Sequence, residues 1–233
     1  MIRALLVLAF LAPYTIAASF GGYVVARLVG SPALLYGLAR LGIRVALFLA
    51  GTRIVVEGRH LLGDHRNTVI VANHVSHLDA PVLMQALGVD YRAVAKKEVF
   101  YVPGFNSVLR FAGFIEVDRA DRAQATRAIA RAVDALKGGA CFLIFPEGTR
   151  SRTGQLGPFK KGGFVVAMDA GSRIVPVALQ GTRELMPRGG FRIRPGTVRV
   201  RVLDPVTAGS YSYGDREALI ADVRGRIAAA LAG

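Results

Sequence analysis

The chain has 233 residues, 52% of them hydrophobic and 20% charged, with 30 Lys and Arg against 16 Asp and Glu for a formal charge of +14. That apolar content excludes a disordered chain, and a single cysteine, Cys141, excludes a disulfide framework or a cysteine-rich zinc site. The basic surplus points to an anionic partner, membrane or nucleic acid, and the greasy composition favours membrane.

Ala4 to Ala26 carries no charge. At 1.5 Å per residue a helix of this length crosses a hydrocarbon core of about 30 Å. A cleaved signal peptide is the competing reading, with Arg3, an apolar Ala4–Ala12 and small residues at Ala17, Ala18 and Ser19. The apolar run continues past that point. Next, Leu34, Leu38, Leu41, Val45 and Leu49 recur at helical spacing, with Arg40 and Arg44 sharing a face. This reads as an amphipathic helix in the interface or the return limb of a hairpin. Arginines flank the C-terminal side of the first run, which places the rest of the chain on the cytoplasmic side of the cell membrane. The expected organisation is an anchoring helix pair over residues 1–50 and an α/β domain over 51–233.

Strands are expected at Arg53–Val56, Thr68–Ala72, Arg92–Ala95, Gly113–Val117, Ala140–Phe145 and Arg173–Ala178. Helices are expected at Asp79–Leu87, in part of Pro103–Phe111, and at Asp121–Lys137, Gly163–Ala170 and Asp215–Leu231. This alternation predicts an α/β fold, a mostly parallel central sheet with flanking helices. Phe191–Val202 alternates apolar residues with Arg192, Arg194, Arg199 and Arg201 around Pro195-Gly196, the pattern of a β-hairpin with an arginine face.

Chemistry-bearing residues follow the expected strands, where an open α/β sheet presents its ligands. After Thr68–Ala72 comes Asn73-His74-Val75-Ser76-His77-Leu78-Asp79. With His74 in the loop and Asp79 in the first helical turn, the carboxylate accepts from one ring nitrogen and the other faces a substrate hydroxyl. Capping accounts equally for Ser76 and Asp79 but not for His74, and His77 competes for the role of base. A Ser76 nucleophile served by His74 is a further reading, without a Gly-x-Ser-x-Gly elbow. After Ala140–Ile144 comes Phe145-Pro146-Glu147-Gly148-Thr149-Arg150-Ser151, which offers a carboxylate, turn N–H groups and a guanidinium suited to phosphate. Asp118-Arg119 follows Gly113–Val117, and four of the five lysines form the pairs Lys96-Lys97 and Lys160-Lys161.

In order along the chain, these blocks resemble the motifs of PlsC-like glycerolipid acyltransferases, the 1-acylglycerol-3-phosphate O-acyltransferase family. Asn73-His74 to Asp79 is similar to its Asn-His-x4-Asp block, Gly113 to Arg119 to Gly-x4-Asp-Arg, Phe145–Ser151 to Phe-Pro-Glu-Gly-Thr-Arg-Ser, and Val175-Pro176-Val177 to the short apolar-Pro-apolar block. The resemblance implies acyl transfer from acyl-CoA or acyl-carrier protein to the free hydroxyl of a membrane lysolipid, with no cofactor, metal or covalent intermediate. It implies His74 as base, Asp79 as its orienting partner, and Arg119, Glu147 and Arg150 holding the glycerol phosphate. Lys96, or else Lys97, and the N–H of Gly148 are the expected oxyanion or donor contacts. Another lysolipid or a glycolipid as acceptor, a Ser76–His74–Asp79 lipid hydrolase, and a membrane-tethered nucleic-acid binder are the alternatives. The last lacks any recognised module, so an anionic membrane surface, not nucleic acid, is the expected partner.

Overall fold

The computed structural model describes residues 2–101, 105–118, 121–187, 189–190 and 192–233. The uncharged N-terminal run folds as α1 (Ile2–Ala17), a π turn (Ala18–Gly22) and α2 (Tyr23–Val29), and α3 (Ala33–Ala50) returns against it. Both helical runs, Ile2–Val29 and Ala33–Ala50, are long and apolar enough to cross a membrane. The two limbs approach closely at Gly42, where a Cβ would stand 2.4 Å from the Tyr14 ring, and the Tyr14 hydroxyl donates to the Leu38 carbonyl at 2.7 Å. Leu5, Leu8, Ile16, Phe20, Leu28 and Val29 are all exposed along the first limb. The return limb differs: Leu35, Tyr36, Leu47 and Ala50 are buried, and Tyr36 and Leu47 join the core. This segment is therefore the return limb of the hairpin, and its inner face also roofs the sheet.

The body holds β1 (Thr52–Glu57), β2 (Thr68–Ala72), β3 (Tyr91–Arg92), β4 (Val94–Lys96), β5 (Ile115–Val117), β6 (Cys141–Ile144), β7 (Arg173–Gln180), β8 (Gly196–Val202) and β9 (Val206–Thr207). The main sheet runs β1-β8-β7-β2-β6-β3, with β9 also on β7. It is parallel except where β8 and β9 meet β7. Period-2 side-chain alternation divides it into two apolar layers. Ile70, Leu143, Val175, Val177, Val198 and Val200 pack with α3 and α4 (Asp79–Leu87). Val69, Val71, Phe142 and Ile174 pack on the other side with α6 (Arg122–Lys137), α7 (Gly162–Asp169) and α9 (Arg216–Ala232). Helix α5 (Phe105–Phe111) precedes β5, and the short α8 (Thr182–Leu185) follows β7. Asp121 caps α6 by accepting from the Gln124 N–H at 2.9 Å.

One expected strand and one expected hairpin differ from the structure. Arg92–Ala95 is not one strand: β3 pairs with β6, while β4 pairs with β5 in a separate two-stranded sheet. The Ile115 N–H takes the Ala93 carbonyl between them, so the chain changes partner within one residue. The arginine hairpin is absent as well. Phe191 lies outside the described residues, and of the rest only Gly196–Val202 is strand. Arg194 N–H is tied to the Leu185 carbonyl, and Gly196 N–H to Gly51, so Pro195-Gly196 opens a strand instead of turning one. On β8, Arg199 is exposed, and Arg201 bonds Glu57 and the Ala230 carbonyl near the end of α9.

Candidate active site

Strands β2, β6 and β7 are parallel neighbours, so their C-terminal ends deliver Asn73-His74, Phe145–Ser151 and Gly181-Thr182 to one edge. Asn73 fastens the first of these to β7: its amide donates to the Leu179 carbonyl at 3.0 Å and accepts from the Leu179 N–H at 2.8 Å. The next residue, His74, is therefore launched from a fixed point.

His74 lies in the loop and Asp79 in the first turn of α4, and the two meet: Nδ1 donates to Asp79 Oδ2 at 2.8 Å. The same oxygen accepts from the N–H groups of Val75 at 2.7 Å and Ser76 at 2.8 Å, and Oδ1 accepts from the Thr182 hydroxyl at 2.6 Å. Asp79 is fully buried, so this full set of donors is what makes a carboxylate tolerable there. Capping and imidazole orientation are thus one arrangement: the carboxylate that reaches back to Ser76 N–H also holds the ring. With Nδ1 engaged as donor, Nε2 is the nitrogen left for a substrate, and the imidazole is 22% exposed.

The Phe145–Ser151 block closes on His74 from the other side. The Phe145 ring stacks on the imidazole with centroids 4.0 Å apart, and the Ser151 N–H donates to the His74 carbonyl at 2.7 Å. Glu147 is buried: Oε1 accepts the His74 N–H at 2.8 Å and Oε2 the Gly157 N–H at 3.0 Å. Arg224 of α9 in turn donates to the carbonyls of Leu156 and Gly157. Arg150 faces His77, whose pKa is lowered by burial first and then by the Arg150 guanidinium and His74. Ser76 points elsewhere: its hydroxyl is buried, donates to the Met186 carbonyl at 2.7 Å and accepts from Leu78 N–H. No reacting carbonyl has access to it.

The remaining expected residues are placed differently. The Gly148 N–H donates to the Phe145 carbonyl at 3.0 Å, so the turn, with φ +72°, uses the donor that was expected to face an oxyanion. The Lys160 ammonium lies over that turn, 3.0 Å from where a Gly148 Cβ would stand. Lys96 is exposed at the end of β4, in register with Val117 and hence beside the Asp118 block. Lys97 bonds Asp118 at 2.5 Å, and that hydrogen bond raises its pKa. Arg119 lies outside the described residues. Sequence reasoning missed Thr182. The available signal was its position just past a strand end, where the other site residues also sit.

A histidine with one nitrogen fixed by a buried carboxylate and the other turned outward is equipped to move a proton at a hydroxyl. The Acyltransferase family model matches residues 53–180, more than half the chain, and the chain belongs to this family. It is 37% identical over 162 residues to the chloroplastic 1-acyl-sn-glycerol-3-phosphate acyltransferase BAT2 of Brassica napus, covering 69% of this chain and 45% of that one. It is 33% identical over 145 residues to the 1-acyl-sn-glycerol-3-phosphate acyltransferase of Borreliella burgdorferi, covering 62% and 58%. The chain spans about half the length of the curated relatives it matches. Among solved structures, the 1-acyl-sn-glycerophosphate acyltransferase PlsC from Thermotoga maritima superposes with a TM-score of 0.82 at 28% identity, covering 99% of this chain and 95% of that one.

Proposed function

We propose that the protein transfers an acyl chain from acyl-CoA or acyl-carrier protein to the free sn-2 hydroxyl of 1-acylglycerol-3-phosphate, giving phosphatidate. The observation that carries this reading is the His74–Asp79 pair in a chain whose relatives bear that activity in their names. His74 Nε2 takes the acceptor hydroxyl proton as the oxygen attacks the thioester carbonyl. A C–O bond forms, the C–S bond breaks, and the imidazolium returns the proton to the departing thiolate. Asp79 fixes the tautomer and stabilises the imidazolium. Arg150, with Arg119, grips the acceptor phosphate. Glu147, with both oxygens bound to backbone, acts by holding His74 and the 156–157 turn in place. Lys96 and Lys160 supply positive charge for the thioester oxygen in place of the Gly148 N–H.

The apolar hairpin supports a membrane-held body. β8 runs antiparallel to β7, so Gly196, its partner Thr52 and the preceding end of α3 lie at the same sheet edge as His74. Arg3 at the start of α1 donates to the Leu49 carbonyl at that same end. An acceptor kept in the bilayer then reaches the base without leaving the lipid phase. We place the hairpin in the cell membrane and the body on its cytoplasmic side, against anionic head groups.

The test is purified full-length chain in mixed vesicles, with labelled acyl-CoA or acyl-carrier protein and a panel of lysolipids. Acylation of lysophosphatidate that His74→Ala abolishes is the expected result. Transfer to a different lysolipid moves the acceptor, and fatty acid release without transfer to any acceptor overturns the reading.

A further inference from the structure

We infer that Thr182 is a positioning residue for the acyl-transfer base: its buried hydroxyl orients the Asp79 carboxylate and, through it, the His74 imidazole. The inference rests on the His74–Asp79 reading above.

β7 ends at Gln180, and Gly181 follows it. Gly181 has φ +95°, and a Cβ there would stand 2.4 Å from the Thr197 carbonyl oxygen of the neighbouring β8. Only glycine fits so close to that strand, so the chain turns out of the sheet at this residue. Thr182, first in α8, is thereby turned back over the sheet edge with no solvent exposure. Its hydroxyl is 2.6 Å from Asp79 Oδ1, short for a bond of this kind and directed to an ionised acceptor.

The two oxygens of Asp79 have unlike partners. All three donors on Oδ2 come from residues 74–76, the segment that carries the base. Among the described residues the donor on Oδ1 is Thr182, 103 positions further along the chain. Without it the carboxylate could swing about its χ2 axis with the loop that it is meant to fix. Two more links bind the same segment to that loop: Asn73 to the Leu179 backbone and the Ser76 hydroxyl to the Met186 carbonyl. The loop is therefore pinned before, beside and beyond Thr182, and only the Thr182 link reaches the carboxylate.

The hydroxyl also sets how strongly Asp79 holds positive charge on the imidazole. Each donor on a carboxylate lowers its basicity. Removing one changes how Asp79 holds the imidazolium that forms during transfer. The titratable and charged groups facing the pair are His77 on the same loop, with Glu147 and Arg150 from the block after β6. On α8 itself, Arg183 donates to the Arg152 carbonyl and Glu184 is exposed, so neither faces the pair. Thr182 adds no charge of its own, and a change in its hydroxyl is read without altering that count.

The experiment compares Thr182→Val, Thr182→Ser and Thr182→Ala in the full-length chain. kcat and the KM for lysophosphatidate are measured across pH, with thermal unfolding run on each variant. Loss of one hydrogen bond to a charged group lowers kcat by about tenfold or more in the Val and Ala variants. KM for the acceptor stays put. Thr182→Ser restores the rate. The Ser and Ala variants differ by one oxygen, so they decide the matter even where Val fails to fold. Equal kcat for Ser and Ala overturns the inference. His74→Ala runs beside them: if it retains activity, the base assignment itself fails, whereas its loss with Ser equal to Ala removes Thr182 alone.

Discussion

Around His74, four donors converge on one buried carboxylate and two on another, and every bond crosses between distant parts of the chain or closes a tight loop. Around Lys96 and Lys97 the separate β4–β5 pair offers short strands, an exposed ammonium and one partly exposed ion pair to Asp118. The first region fixes an atom in space; the second leaves positive charge exposed at the surface. Proton transfer needs the former, because it depends on an orbital meeting a proton at hydrogen-bond range. Long-range attraction of a phosphate or thioester tolerates the latter.

The comparison breaks most severely at the base. His74→Ala is expected to lose 10² to 10⁴-fold in turnover, the usual worth of a general base, with little change in thermal unfolding. Asp79→Asn should be comparably damaging, while His77→Ala leaves turnover near normal. If the two histidines exchange these outcomes, the base is His77. Next in size is Arg150→Ala, expected to weaken the apparent affinity for lysophosphatidate by about 10- to 100-fold while the donor KM stays near its original value. Equal effects on both substrates would remove Arg150 from the acceptor site.

Glu147→Gln sharpens the contrast because it keeps shape and removes charge. One amide group must then face a backbone N–H, leaving a buried donor unsatisfied at a cost of about 1–3 kcal/mol. The expected outcome is a lower unfolding temperature and a lower kcat at unchanged acceptor KM; a rise in acceptor KM alone would return Glu147 to direct substrate contact. The smallest effect belongs to the exposed side. Lys97→Ala breaks an ion pair at the surface, and turnover at saturating substrate should change by less than about twofold. A larger drop would show that the charged side is as constrained as the buried one.

How much of this was legible follows from how local each feature is. Thr68–Ala72 and Asp79–Leu87 were read with the bounds they have, because apolar runs and the Asp/Pro start of a helix are written in consecutive residues. A loop His74 ahead of a first-turn Asp79 was the one arrangement that let the two meet, and it is the one found. What stayed hidden depends on partners far away. The Arg92–Ala95 run looked like one strand because nothing in it announces that β6 claims one half and β5 the other. The alternation of Phe191–Val202 was genuine only from Gly196 onward, where β1 and β7 both pair with it. Glu147 looked like a ligand for substrate because its backbone partners, His74 and Gly157, are invisible until the loops are docked. Thr182 carries no motif signature, and only the fold brings it to Asp79.

The N–H groups of His74, Val75 and Ser76 belong to no helix or strand, yet each points into a carboxylate oxygen. Exchange of amide hydrogens with solvent requires such bonds to open: that of His74 opens only when loops from separate strands part, and those of Val75 and Ser76 only when Asp79 leaves its buried position. This loop should therefore trade its hydrogens for deuterium as slowly as the sheet beneath it, hours after other connecting segments are fully labelled. Rapid labelling there would reveal a catalytic loop that breathes on its own, and Glu147→Gln should speed the His74 amide first.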